Sequence, residues 1–112
     1  MRYEALRHYS MEEINKIISS SDEEKIKLLP LSIGEYHDDF TYAKNFCLNL
    51  LESGFNDEVR ANSVLGLSYL VRRFRQLDNT IMSRLQKELN MNEIFKKRVE
   101  YSIEDINLFM GW

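Results

Sequence analysis

The run NDEVRANSVLGLSYLVRRF, from Asn56 to Phe74, constrains the fold more than any other part of the chain. Its apolar residues recur three and four positions apart, which places them along one broad face of an α-helix. Near the middle of this face lie Ser63 and Gly66, where large residues would be expected. A glycine inside a helix costs about 1 kcal/mol relative to alanine, and close approach of another backbone usually offsets that cost. The run therefore predicts a central helix packed between neighbouring helices.

Apolar spacing and helix-end signals predict five further helices. Ser10 and Glu13 have the spacing of a capping box, in which the two side chains satisfy backbone N–H groups at a helix start. Ser21 and Glu24 repeat that spacing and predict a second helix, which Pro30 should kink or delay because proline lacks an N–H. The other helices are predicted from Asp38 or Asp39 to Ser53, through Ile81–Leu89, and from Ile94 to Gly111.

Short connections between these six helices predict antiparallel neighbours. We therefore expect an all-α fold of three antiparallel αα-hairpins, stacked as a short helical solenoid in a single domain over residues 1–112. A helix pair takes about 35 to 40 residues, which is within the range of helical repeats. Four glycines and one proline in 112 residues also favour helices over an all-β fold.

Composition narrows the classes of function. The formal net charge of −3 gives no basic excess for phosphates, which argues against a nucleic-acid partner. No apolar run approaches the roughly 20 residues that span a bilayer, and the first residues lack a signal-peptide pattern. The single cysteine, Cys47, fits a reducing compartment and is expected to be a buried, inert thiol. These features predict a cytoplasmic protein without a membrane partner, either a monomer or a small homo-oligomer.

The segment YHDD, Tyr36 to Asp39, is the strongest candidate for chemistry. His37 and Asp39 could act as an acid–base pair or as metal ligands, but one turn does not supply a full ligand set. The preferred interpretation is that Asp38 or Asp39 caps the following helix. We therefore expect no catalytic residue, metal or cofactor, and an enzyme or lyase-like protein using this turn stays open as a rival.

An acidic edge is predicted where the second, fourth and sixth helices begin. The helix dipole favours carboxylates at these N-termini. It disfavours Glu52 and Glu88, because these two residues lie at helix C-termini. The excess acidity predicts a surface for a basic protein partner. The predicted acidic edge consists of Asp22, Glu23, Glu24, Glu52, Asp57, Glu58, Glu88 and Glu93.

The opposite edge is the rival partner surface. Its arginines also have a structural interpretation, because cations favour helix C-termini and one of them could pair with Glu104 or Asp105. This rival edge consists of Glu35, His37, Asp38, Asp39, Arg72, Arg73, Arg75 and Asp78.

The segment DEVRANSVLGLSYL resembles the second helix of a HEAT-type repeat. That motif has an Asp, then Val-Arg, then small residues and a closing aliphatic pair. The matching residues are Asp57, Val59, Arg60, Ser63, Gly66, Leu67 and Leu70. Ser63 and Gly66 replace the usual alanine but keep the small size. The resemblance implies that Asp57 and Arg60 serve the stacking of neighbouring repeats.

A further likeness covers about residues 33 to 110. The segments HDDFTYAKNFCLNLL, VRANSVLGLSYLVRRF and SIEDINLFMGW are similar to small helical-repeat proteins of bacterial polymorphic or contact-dependent toxin systems. The resemblance implies an immunity protein that binds a cognate toxin domain and occludes its active surface. The alternative is a general HEAT-like adaptor with another protein partner.

Overall fold

The computed structural model describes residues 8–52, 55–91 and 96–110. Every regular element in these ranges is an α-helix, which confirms the predicted all-α class. The helices are α1 (Met11–Ser19), α2 (Glu23–Ile26), α3 (Leu29–Tyr36), α4 (Phe40–Glu52), α5 (Asp57–Phe74), α6 (Asn79–Met91) and α7 (Lys96–Met110).

The first two predicted helices differ in whether the expected side chain caps them. The capping box at α1 is confirmed, with the Ser10 and Glu13 side chains each accepting a backbone N–H from the other residue. The predicted box of Ser21 and Glu24 is wrong, because the Asp22 carboxylate caps α2 by accepting the Glu24 N–H at 3.1 Å.

The second predicted helix is divided into α2 and α3. Pro30 lies in the first turn of α3, where a missing N–H costs nothing.

Side-chain caps also begin α4, α5 and α6. The carboxylate of Asp39 accepts the Tyr42 N–H at 3.1 Å, which confirms the predicted cap of α4. The Asn56 side chain caps α5 as predicted, and Asp78 caps α6. The predicted helix signals at Ser53-Gly54, Ile94 and Gly111 lie outside the described residues.

The central position of α5 organises the core. It packs against α3, α4 and α7, while α6 packs against α7 and touches α4. Nine of its eighteen residues are buried, so α5 has core contacts on several sides. The largest fully buried side chains of α5 are Val59, Val64, Leu67 and Leu70.

Gly66 and Gly34 bring the backbones of α5 and α3 into contact. A Cβ atom added to Gly66 would lie 2.4 Å from the Pro30 carbonyl oxygen, and one added to Gly34 would lie 2.4 Å from the Gly66 oxygen. Ser63 is also fully buried, and its hydroxyl donates to the Val59 carbonyl at 2.8 Å. The close approach predicted from Ser63 and Gly66 is therefore present. The part that Gly34 plays on the other side of the contact was not predicted from the sequence.

Cys47 lies beside this contact, and its thiol should be unreactive in the folded protein. Its side chain is fully buried, and burial raises the pKa of the thiol to about 12. Because the thiolate is the reactive form, we expect a disulfide reagent to label the native protein at least about 100-fold more slowly than the unfolded chain. The control is the same reaction in concentrated guanidinium chloride, where one thiol should react promptly. Equal labelling rates in the two states would contradict burial of Cys47.

Candidate functional site

The acidic residues at the starts of α2 and α5 lie close to one another. The Glu23 carboxylate accepts the backbone N–H of Asn56 at 3.4 Å and its side-chain amide at 2.8 Å. Lys27 lies between Glu24 and Glu58, at 2.9 and 3.4 Å from their carboxylates. Much of this acidity is thus used to join the two helix starts. Asp22 caps α2, Asp57 is half-buried, and Glu93 lies outside the described residues.

Glu88 does not belong to the accessible part of the acidic edge. Only 1% of it is exposed, because it lies between Arg60 and Arg84. Arg60 donates to both carboxylate oxygens, at 2.6 and 3.0 Å, and Arg84 donates to one of them at 3.2 Å. The expectation that Glu88 forms part of a partner surface is therefore corrected. A fork of two parallel N–H bonds is the strong geometry of an arginine–carboxylate pair.

The same arginines explain why carboxylates stand at these helix ends. Arg84 donates to the Glu52 carboxylate at 2.6 Å, and this hydrogen bond is the main reason that the pKa of Glu52 is lowered. Both Arg60 and Arg84 also donate to the Leu51 carbonyl near the end of α4. The cations therefore satisfy the unpaired carbonyl and the carboxylates at once. Arg84 and Lys27, which pair with these carboxylates, were not predicted at this edge from the sequence.

The rival edge contains side chains that hold the turn between α3 and α4. The His37 ring accepts the Asp39 N–H at 3.1 Å and stacks on Tyr42 with the ring centroids 4.6 Å apart. Arg73 donates to the carbonyls of Gly34 and His37, which end α3. His37 and Asp39 therefore both accept backbone hydrogen bonds that stabilise this turn and the start of α4. Within residues 8–52, 55–91 and 96–110, no three His, Cys, Asp or Glu side chains are grouped to hold a metal ion.

A groove between α5 and α7, called the α5–α7 groove below, adjoins this edge. It has a volume of about 520 Å³, and two large apolar side chains on its rim are open to solvent. Tyr101 is 69% exposed and Leu108 is 78% exposed. The lining residues are Leu65, Ser68, Tyr69, Arg72, Arg98, Tyr101, Ser102, Glu104, Asp105 and Leu108.

Charged side chains surround the apolar residues of the groove. The Arg72 guanidinium lies 3.6 Å from the Asp105 carboxylate, as predicted for one arginine of this run, and the Ser68 hydroxyl donates to the same carboxylate at 3.2 Å. A smaller depression of about 260 Å³ continues past Tyr69 and Arg72 toward Arg73. Burial raises the pKa of the Tyr69 phenol, which therefore stays a neutral hydrogen-bonding group. The α5–α7 groove therefore combines apolar side chains with acidic and basic side chains beside them.

Comparison of the chain with protein-family models, curated proteins and solved structures found no match. In the described part of the chain, no helix combines the length and the apolar character needed to cross a membrane.

Arg72 and Arg73 were predicted at this edge from the sequence, but the apolar part of the groove was not. Tyr101 and Leu108 are seven positions apart, so they share one helix face, and Asp105 lies between them on that face. The buried residues of α7, such as Ile103 and Ile106, lie on a different face. The sequence did contain a signal for this surface, because α7 has large apolar residues outside the helix face that packs on the core.

Proposed function

We propose that this protein is a non-enzymatic binding protein and that the α5–α7 groove contacts its protein partner. The observation that carries the proposal is the exposure of Tyr101 and Leu108 on one face of α7. Clustered exposed apolar residues with a polar rim are typical of interaction sites. Tyrosine and arginine are also the residue types most often responsible for binding energy at interfaces. Here Tyr69, Tyr101 and Arg72 lie around one concavity.

We infer that the helices form a short HEAT-like stack of three hairpins. The packing of α5 between α3 and α7, with α4 and α6 against the same layer, supports this arrangement. In such a stack the helices of one layer present a continuous surface to a partner. The α5–α7 groove would be part of that surface.

The specific role that we propose is cytoplasmic immunity to a bacterial toxin domain, by occlusion of the toxin's active surface. The support for it is the resemblance of residues 33 to 110 to immunity proteins of contact-dependent toxin systems. The partner is expected to be basic. Exposed carboxylates such as Glu24 and Glu58 would attract it at long range, since complementary charge mainly raises the association rate. The groove would then supply the short-range contacts.

A co-expression experiment tests the immunity role. The adjacent open reading frame is expressed in bacteria with and without this chain. We expect growth to stop when the neighbour is expressed alone and to recover when this chain is present. A neighbour that is harmless alone would overturn the toxin-blocking role and leave the adaptor as the remaining binding function.

Truncation of the exposed groove residues tests the binding surface. Replacing Tyr101 and Leu108 together by alanine should weaken partner binding at least about 30-fold, because two interface anchors each contribute more than 1 kcal/mol. Titration calorimetry with the purified partner measures the affinity. Met11→Ala is the matched control, since Met11 is an exposed apolar residue on α1.

A second pair of variants separates the groove from the acidic edge. Glu24→Lys with Glu58→Lys should slow association at low salt while leaving the dissociation rate nearly unchanged. Full affinity of the Tyr101 and Leu108 variant, combined with a large loss in the lysine variant, would place the contact on the acidic edge and overturn the groove assignment.

A further inference from the structure

The charges on the exposed face of α7 are arranged symmetrically about Tyr101, which is 69% exposed. The two residues one turn before Tyr101 are basic, and the two residues one turn after it are acidic. These four residues are Lys97, Arg98, Glu104 and Asp105. At about 3.6 residues per turn, all four lie within about 60° of Tyr101 around the helix axis. Asp105 is half-buried and the other three are exposed. The face therefore has a basic half, an aromatic centre and an acidic half.

This pattern complements an antiparallel copy of itself. When two identical helices cross on a two-fold axis at Tyr101, each residue before Tyr101 lies opposite the residue equally far after it on the other helix. Arg98 then faces Glu104 of the second copy, and Lys97 faces Asp105 of the second copy. The two-fold axis repeats both pairs on the other side of the tyrosines. A parallel pair of helices would instead bring like charges together, which is unfavourable.

The contacts that Asp105 makes within the chain leave room for a second cation. The Arg72 guanidinium lies 3.6 Å from Oδ2 of Asp105, and the Ser68 hydroxyl donates to the same oxygen at 3.2 Å. The side chain of Asp105 is 46% exposed, and an ionised carboxylate accepts hydrogen bonds at both of its oxygens. Oδ1 can therefore accept an N–H from the second copy while Oδ2 keeps its contacts.

We propose that two copies of this protein pair reversibly through an antiparallel contact of their α7 helices, centred on Tyr101. Charge complementarity selects the second copy as the occupant, because the same face supplies both halves of each ion pair. The interface is small, since α7 has only 15 residues, and small interfaces are weak and transient. We expect a dissociation constant on the order of 100 µM.

The dimer does not rest on the toxin-blocking role. Tyr101 also lines the α5–α7 groove, so a protein partner that binds the groove more tightly would displace the second copy. Partner binding and self-association are measured separately, and the failure of one leaves the other standing.

Two charge reversals, Arg98→Glu and Glu104→Arg, test the contact when they are made in separate chains. Each variant brings like charges together in its own dimer and should raise the dissociation constant at least about tenfold. An equimolar mixture of the two variants should dimerise as the wild type does. In the mixed dimer the two reversed positions face each other, and so do the two unchanged residues. Sedimentation velocity from about 10 µM to about 1 mM measures the dissociation constants.

The controls separate this contact from other causes of association. Lys16→Glu reverses an exposed cation on α1 and should leave the dimer unchanged, whereas Lys97→Glu should weaken it. Because the Debye length falls to about 3 Å at about 1 M salt, the wild-type dimer should also weaken there. A wild type that stays monomeric at about 1 mM would overturn the proposal. A dimer that the reversals on α7 do not weaken, or a mixture that does not restore it, would overturn it too.

Discussion

Replacing Gly66 by alanine should lower the free energy of unfolding by about 3 kcal/mol, although alanine is the better helix former by about 1 kcal/mol. The added Cβ would lie 2.4 Å from the Pro30 carbonyl oxygen and 3.3 Å from the Cys47 sulfur. A backbone oxygen cannot rotate out of the way as a side chain can, so α3 must move away from α5. Denaturant unfolding followed by circular dichroism measures the loss.

Two further variants make this result specific. Ser83→Ala, on the exposed face of α6, should change the free energy of unfolding by less than about 0.5 kcal/mol. Gly34→Ala should be nearly as harmful as Gly66→Ala, because its Cβ would meet the Gly66 oxygen at the same distance. The double variant should lose less than the sum, since one displacement of the helices relieves both contacts. Wild-type stability of Gly66→Ala would disprove the backbone contact.

Replacing Glu88 by alanine should lower the free energy of unfolding by about 3 to 5 kcal/mol. The change leaves the guanidinium groups of Arg60 and Arg84, which are only 16% and 10% exposed, without their shared carboxylate. Little water can replace the lost hydrogen bonds at this depth. Arg60 keeps its hydrogen bond to the Leu51 carbonyl but loses its carboxylate partner, and a partially buried cation without a counter-charge is one of the few causes of such a large loss from a single substitution.

Glu52 provides the control for Glu88. It is 58% exposed and pairs with the same Arg84 at 2.6 Å. Because solvent and salt screen an exposed pair, Glu52→Ala should lower the free energy of unfolding much less than Glu88→Ala does. Urea unfolding of both variants at low and high salt measures the difference. Similar losses for the two variants would show that the burial of Glu88 has no energetic consequence.

Signals that act within a few residues were predicted well from the sequence. The Ser10–Glu13 box, the Asn56 cap and the Asp39 cap each join groups three residues apart. The failure at Ser21 has a local cause as well. Ser21 adopts a positive φ of 56°, and the next residue, Asp22, offers its own carboxylate as the cap. Ser21 and Asp22 are both residue types that can cap a helix, and residue spacing in the sequence does not decide which of them does so.

The candidate surfaces were predicted less well, because their chemistry depends on pairs that are distant in sequence. Arg60 and Glu88 are 28 positions apart, and Arg84 and Glu52 are 32 apart. Treated as a list of charges at one edge, Glu52 and Glu88 suggested an open acidic surface. In the folded chain they hold α4, α5 and α6 together through two arginines.

The sequence by itself determined that the chain forms helices, where α1, α4 and α5 begin, and that the middle of α5 must lie close to another backbone. It could do so because helix periodicity, caps and small residues act over single turns. The tertiary structure decided that α3 is the neighbour at Gly66 and that Glu88 is buried between two arginines. It also decided that Tyr101 and Leu108 remain exposed. These outcomes depend on which helix faces meet, and the free energy that selects them comes from packing across the whole core.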